Sequence, residues 1–343
     1  MKRLPFVLVS LLLFSSTLSL VSYIPFNASS FSDYALNSSL PGKVLDLSLF
    51  TYYNPTEFIL SGSIASVRQK DAPSIPFPPE TKKEPAADYG EPDLHNIKET
   101  EITKGGTSLF GVEINNETSF NLENALRDVP VPENPTVLII HTHTSESYRS
   151  SPAFPYTPTD NSRTEDSEYN VSRVGKELAK ELSSYGINVI HDSTLNDYPS
   201  YNGSYSKALK SIEGHLAKNP SIDMIIDIHR DAMERTDGTK VSTVFTLDNE
   251  KAAQVMLVTG TDENGLYHPS WQDNFSFAVK LQAVINKEFP NMARPINVRK
   301  ERFNGHVSKK ELIIEVGTTG NTLDEALRSA KALAYAINKF YTG

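Results

Sequence analysis

The chain has 343 residues, more than a single domain usually contains, and its composition changes sharply along its length. It carries 33 basic and 42 acidic residues, for a net charge of -9, and has no extended basic tract. This balance argues against nucleic acid as a partner. Cysteine is absent, which excludes disulfides and thiolate metal sites, so any metal must be held by histidine, carboxylate and water.

An uncharged and largely apolar run extends from Leu4 to Phe26, directly after Lys2 and Arg3. It is long enough to span a bilayer, which needs roughly 20 apolar residues. The two basic residues favour a cytoplasmic N-terminus, which places the rest of the chain outside. We interpret residues 1–26 as a single-pass anchor in the cell membrane. A cleaved signal peptide is the alternative, although no clear Ala-x-Ala cleavage site is present. Both interpretations predict an extracytoplasmic protein.

Residues 27–133 are predicted to form a membrane-proximal segment and a stalk. Between Arg68 and Gly106, prolines alternate with charged residues, a composition that does not bury a core. At roughly 3.1 Å per residue, an extended proline-rich segment can hold a folded domain up to about 100 Å from a membrane. The catalytic domain is assigned to residues 134–343, with Thr107 as an alternative start.

The catalytic domain alternates between strand-like and helix-like segments. Strands are predicted at 136–140, 187–190, 222–228, 241–247, 254–258 and 312–316. Helices are predicted at 168–185, 205–217, 274–289 and 322–341. This alternation predicts an α/β fold with a mainly parallel sheet and helices on both faces.

Polar side chains lie at the carboxyl ends of three predicted strands. The first strand runs into His141 and His143, the third ends in Asp227-Ile228-His229-Arg230-Asp231, and the last carries Glu315. In an open parallel sheet, the ligand site lies beyond the carboxyl ends of the strands. We therefore expect these side chains to converge at one edge of the sheet, with His191 and His306 as weaker candidates.

His143 and Glu146 form an H-x-x-E motif, a spacing that brings an imidazole and a carboxylate onto one cation. With the distant His229, they supply the three protein ligands and open position of a catalytic Zn²⁺ site. Bound zinc lowers the pKa of water from about 15.7 toward about 7. Glu315 is the predicted general base, which takes the proton and returns it to a leaving amine. The predicted reaction is amide hydrolysis.

Several assignments around this site have alternatives. Residues i and i+2 of a strand face the same way, so His141 competes with His143 as first ligand and is otherwise a supporting or lining residue. Asp227 is expected to orient His229. Arg230 is expected to neutralise an oxyanion or bind a substrate carboxylate, and the alternative is a local ion pair with Asp231.

Three segments taken together resemble the stage II sporulation protein P family. They are His141-Thr-His143-Thr-Ser-Glu146-Ser-Tyr148, Asp227-Ile228-His229-Arg230-Asp231-Ala232 and Leu312-Ile313-Ile314-Glu315-Val316-Gly317, the last followed by Asn321-Thr322-x-x-Glu325-Ala326. The resemblance spans about residues 134–343. Family members are membrane-anchored cell-wall hydrolases of endospore-forming bacteria, related to zinc-dependent N-acetylmuramoyl-L-alanine amidases.

The resemblance implies an amidase-like fold and hydrolysis of peptidoglycan during forespore engulfment. It implies amidase cleavage, endopeptidase cleavage of stem peptides, and stage II sporulation proteins D and M as partners. By motif, the zinc ligands are His143, Glu146 and His229, and the catalytic glutamate is Glu315. The chain lacks the glycine-rich histidine loop of classical amidases, which leaves the choice between His141 and His143 open.

Two other functions fit the same residues. A metallocarboxypeptidase-like exopeptidase also uses H-x-x-E, a distant histidine and a glutamate base, with Arg230 holding the free carboxylate. An inactive wall-binding scaffold would bind peptidoglycan without metal, and the intact Glu146, His229 and Glu315 count against it.

Overall fold

The structure is a computed structural model that describes residues 97–157 and 162–343. The predicted anchor, residues 1–26, and most of the predicted stalk lie outside the described residues. Within the described part of the chain, no helix combines the length and apolar character needed to cross a bilayer.

In the part of the chain that the structure describes, eight strands form the main sheet. In spatial order they are β2 (Thr107–Leu109), β3 (Val112–Asn116), β10 (Ile296–Val298), β9 (Val255–Thr259), β11 (Glu311–Thr318), β6 (Ile222–Asp231), β4 (Thr136–Ile140) and β5 (Asn188–His191). A separate three-stranded sheet contains β1 (Ile97–Thr100), β7 (Lys240–Leu247) and β8 (Glu250–Ala253). The helices are α1 (Val171–Ser184), α2 (Ser204–Lys218), α3 (Trp271–Glu288) and α4 (Leu323–Thr342).

The predicted parallel arrangement of strands is confirmed for one half of the main sheet. The other half differs from the prediction. Strands β5, β4, β6 and β11 run parallel to their neighbours, whereas β9 is antiparallel to β11. The reversal begins at Asp248 and Asn249, which both have positive φ and join β7 to β8 in a two-residue hairpin turn. Only Gln254 separates β8 from β9, so the chain enters the main sheet in the reversed direction.

Helices cover both faces of the sheet, as predicted. On one face, α1, α3 and α4 pack on alternate strand residues such as Ile226 and Ile228. On the other face, Ala208 and Ile212 of α2 pack on Ile225 and its neighbours in β4. Successive side chains of a strand point to opposite faces, so the odd-numbered residues of β6, including Asp227 and His229, belong to the α2 side.

The predicted boundary at residue 134 is too late. Strand β1 pairs with β7, and β3 pairs with β10, so the segment from Ile97 onward belongs to both sheets. Its apolar residues Val112, Ile114 and Leu126 are buried in the main core. These strands are three to five residues long, too short for their alternation to show above the polar residues around them.

The segment Asn321-Thr322-x-x-Glu325-Ala326 after β11 has a structural role. Thr322 caps α4 and forms a capping box with Glu325, in which each side chain accepts a hydrogen bond from the other residue's backbone. The Asn321 carboxamide accepts from the backbone N–H groups of Thr318 and Thr243 and donates to Glu325. These hydrogen bonds therefore hold the start of α4 beside the end of β11.

Candidate active site

The three strand ends converge as the sequence predicted. Strands β4, β6 and β11 are adjacent and parallel, so their carboxyl ends meet at one edge. His229 and Glu315 are register partners on neighbouring strands and therefore lie side by side on the α2 face. His143 and Glu146 reach the same place from the turn after β4.

The structure places His143, and not His141, beside His229. Strand β4 ends at Ile140 and the chain then turns, so the expectation that the two histidines face the same way is wrong. The His143 ring centroid lies 5.3 Å from that of His229, with the rings perpendicular. The fully buried His141 packs against α1, its Nδ1 lies 3.1 Å from the carbonyl oxygen of Ile228, and its Nε2 lies 2.9 Å from Nε2 of His191.

His141 and His191 support the strand ends from the α1 side. Burial and the neighbouring His191 lower the pKa of His141 to about 3, so its ring is neutral. Its bond to Ile228 ties the end of β4 to the residue before His229. Of the two roles predicted for His141, these contacts favour the supporting role over a lining role.

A glycine in α1 makes room for this histidine pair. A Cβ on Gly175 would lie 2.6 Å from Nε2 of His141 and 2.8 Å from Nε2 of His191. We expect Gly175→Ala to destabilise the protein by about 1–3 kcal/mol through overpacking, measured by denaturant unfolding. Gly214→Ala in α2 is the control, because no atom lies within 4 Å of its added methyl group. That change should stabilise by about 0.5–1 kcal/mol; equal effects of the two substitutions would contradict the prediction.

Glu146 lies between the other groups of the site. Its Oε2 accepts a hydrogen bond from the backbone N–H of Arg230 at 3.0 Å and lies 3.6 Å from Nδ1 of His229. Its Oε1 lies 3.6 Å from Nη2 of Arg163. The carboxylate is therefore held next to His229 by the chain of β6 itself.

Asp227 lies directly against the ring of His229. Its Oδ1 lies 3.0 Å from Nε2 of His229 and accepts from the backbone N–H of Thr142 at 2.7 Å. Its Oδ2 accepts from the Thr142 hydroxyl at 2.5 Å. Burial opposes a charge on His229, but Asp227, with Glu146 and Glu315, outweighs burial and raises the pKa of His229 to about 10. The pocket therefore favours a positive charge at this position.

Glu315 is partly buried beside His229. Burial is the main cause that raises the pKa of its carboxyl to about 8, with His229 acting in the opposite direction. Its Oε2 is buried and has no hydrogen-bond partner. A carboxyl group whose pKa lies near neutrality suits proton transfer in both directions.

The guanidinium of Arg230 has a different role from the one predicted. The side chain is 4% exposed, and its two terminal nitrogens donate to the carbonyl oxygens of Asp231 and Ser162. Residue 230 points to the face opposite His229, because strand side chains alternate. The alternative ion pair is not formed either, since Asp231 pairs with Arg294 at 2.8 Å. Arg230 therefore braces Glu146 through its backbone and the Ser162 segment through its side chain.

Four residues at the rim of the site were missed by the sequence analysis. Arg163 pairs with the buried Asp197 at 2.7 Å, and Asp197 also accepts from the backbone N–H of Ser145. Tyr201 and Tyr205 contact the ring of His143. All four come from loops or a helix start distant from the H-x-x-E motif, and no local spacing connects them to it. His306 does not contact the site residues.

The donor set fits zinc chemically. His143, Glu146 and His229 supply two imidazoles and a carboxylate, the ligand types of catalytic zinc without cysteine. The site also favours a positive charge, since the pKa of His229 is raised to about 10. Across the described residues, however, no three His, Asp or Glu side chains already surround a single point at metal-binding distances. Metal binding would require the side chains to move closer together.

Comparison with known proteins gives the family. The model of the family described as "Stage II sporulation protein P (SpoIIP)" matches residues 65–338, most of the chain. The chain belongs to the stage II sporulation protein P family. The match begins within the predicted stalk and includes β1 to β3, in agreement with the earlier start of the folded unit.

Individual relatives are more distant. The stage II sporulation protein P of Bacillus subtilis (strain 168) is 27% identical over 235 residues, which cover 64% of this chain and 55% of that protein. The chain thus spans little more than half the length of this relative. The CwlD amidase from Clostridioides difficile, in complex with the GerS lipoprotein, is 15% identical with a TM-score of 0.38 and covers 61% of this chain and 99% of that chain. The N-acetylmuramyl-L-alanine amidase Ami1 from Mycobacterium smegmatis is 12% identical with a TM-score of 0.36. The match covers 62% of this chain and 98% of that chain.

Proposed function

We propose that this protein hydrolyses amide bonds of peptidoglycan during forespore engulfment, as a zinc-dependent N-acetylmuramoyl-L-alanine amidase that also has stem-peptide endopeptidase activity. The observation that carries the proposal is the pairing of His229 with the partly buried Glu315 in register, with His143 and Glu146 at the same sheet edge. Family membership supports the same function.

In this proposal, His143, Glu146 and His229 hold the zinc ion. When bound, zinc supplies a Lewis acid that lowers the pKa of water and polarises a carbonyl group. Asp227 holds the ring of His229 through its Nε2, and Thr142 holds Asp227. The arrangement fixes the imidazole before substrate arrives.

Glu315 carries the proton in the proposed reaction. Its carboxylate accepts a proton from the attacking water, and the resulting carboxylic acid donates it to the nitrogen of the leaving amine. Burial and the absence of a partner at Oε2 leave this oxygen available for that proton. The C–N bond breaks as the nitrogen is protonated, which gives a free carboxylic acid and a free amine.

The exopeptidase alternative needs a side chain that binds the free carboxylate of the substrate, and the predicted one is not available. It relied on the guanidinium of Arg230, whose terminal nitrogens are bound to backbone carbonyl oxygens on the opposite face of β6. We therefore favour cleavage within the polymer over removal of a terminal residue. The inactive scaffold would need no proton-accepting Glu315 beside His229.

We further propose that the folded unit acts outside the cell membrane, held there by residues 1–26 as a single-pass anchor. The apolar run after Lys2 and Arg3 supports this location. Stage II sporulation proteins D and M are proposed partners on family resemblance. Co-purification of each with this chain from a membrane extract tests the two contacts separately.

Digestion of purified cell walls tests the function. We expect the whole chain with Zn²⁺ to release soluble fragments and to expose new amino-terminal L-alanine, because the proposed bond joins that residue to N-acetylmuramic acid. Chelation should reduce release by at least about a hundredfold, since the water loses the lowered pKa that zinc provides. Added zinc should restore it.

The products separate the alternatives. Release of single terminal amino acids would indicate the exopeptidase, and new amino termini within stem peptides would indicate the endopeptidase. Tight wall binding with no new amino termini, unchanged by chelation, would contradict the proposal and favour the scaffold.

A further inference from the structure

The ring of His143 lacks the hydrogen bond that usually orients a metal-binding histidine. Such a histidine almost always donates its second ring nitrogen to a carboxylate or carbonyl group. His229 has Asp227 at this position, but Nδ1 of His143 is buried without a partner among the described residues. Some other contact must therefore fix the orientation of the His143 ring.

Two tyrosines make that contact. The ring of Tyr201 lies parallel to His143, with centroids 4.4 Å apart and an interplanar angle of 3°. The ring of Tyr205 meets His143 edge-on, at 5.5 Å and 89°. Aromatic pairs of these geometries contribute about 0.5–1.5 kcal/mol each beyond their burial. Together they restrict rotation of the imidazole about its side-chain bonds.

Tyr201 is itself held in place although it is 55% exposed. Its loop, residues 192–203, is joined to the turn after β4 because Asp197 accepts from both the backbone N–H and the hydroxyl of Ser145. The guanidinium carbon of Arg163, which pairs with Asp197, lies 4.9 Å from the Tyr201 ring centroid. These contacts fix the position of the Tyr201 ring, although burial of the ring itself contributes little.

We propose that Tyr201 is a positioning residue that holds the imidazole of His143 in its metal-binding orientation by stacking. The inference rests on the proposed function, in which His143 is a zinc ligand. Stacking takes the place of the missing hydrogen bond at Nδ1. The aromatic ring, and not the hydroxyl group, is the part of Tyr201 that matters.

Zinc affinity of the whole chain, measured by competition with a chromophoric chelator, tests this role. We expect Tyr201→Ala to weaken zinc binding about tenfold, near the lower end of the effect of removing a group that orients a ligand. Tyr201→Phe should stay within about twofold of the wild type, because the ring is kept. Tyr267→Ala, which removes a 77% exposed tyrosine from the loop before α3, is the control and should leave zinc affinity unchanged.

A second measurement needs no metal. In the zinc-free protein, the ring protons of His143 should show an NMR shift caused by the Tyr201 ring, lost in Tyr201→Ala and kept in Tyr201→Phe. Unchanged zinc affinity in Tyr201→Ala, with wild-type zinc binding intact, would overturn this inference alone. Tighter binding in Tyr201→Ala would do the same, because the ring would then obstruct the site. A wild type that binds no zinc would overturn the proposed metal site as well.

Discussion

Glu315→Gln should lower kcat for wall hydrolysis by about a hundred- to ten-thousand-fold, the usual contribution of a general acid–base group. Glutamine keeps the size of the side chain but cannot accept the proton of the attacking water. Zinc affinity should change much less, since Glu315 is not a proposed ligand. The measurement is the initial rate of fragment release at saturating zinc, together with the chelator competition.

Glu311→Gln is a matched control for that substitution. Glu311 lies four residues earlier on β11, on the same face, and burial raises the pKa of its carboxyl to about 8 as well. Glu311→Gln replaces a buried neutral acid with a neutral amide, so activity should remain within about twofold. Retained activity in Glu315→Gln, or an equal loss in both variants, would show that proton transfer by Glu315 is not the step lost.

His143→Ala should mainly impair zinc binding, whereas His141→Ala should mainly impair stability. We expect His143→Ala to abolish wall hydrolysis and weaken zinc binding by at least about a hundredfold, because one of three ligands is removed. Its unfolding free energy should fall by about 1–2 kcal/mol, because the ring loses its aromatic contacts with Tyr201 and Tyr205 but no hydrogen bond within the described residues. His141→Ala should instead cost about 3 kcal/mol of unfolding free energy, since it leaves a cavity and an unpaired Ile228 carbonyl.

The two variants are compared by denaturant unfolding and by zinc competition on the same preparations. His141→Ala, where folded, should bind zinc within about tenfold of the wild type, because its role is to hold the backbone before His229. The reverse pattern, with zinc binding lost in His141→Ala and kept in His143→Ala, would exchange the two assignments.

Much of the fold could be predicted because it depends on local patterns. The near-continuous apolar runs of β4, β6 and β11 identify buried strands, and the helical spacing in α1 and α4 identifies their buried faces. The short strands β1 to β3 were missed, since a few alternating residues among polar ones give no distinct signal. The antiparallel entry of β9 was missed as well, because it depends on the turn at Asp248 and Asn249.

For the site, the sequence by itself determined which strand ends carry histidine, aspartate and glutamate, because the side chains after a buried strand must emerge at the sheet edge. Only the tertiary structure decided between His141 and His143, since the choice depends on where β4 ends and how the chain then turns. It also turned the guanidinium of Arg230 away from the site and brought Arg163 and Tyr201 to it. The physical reason is that such contacts join segments far apart in the chain, whose approach is set by the packing of whole strands and helices.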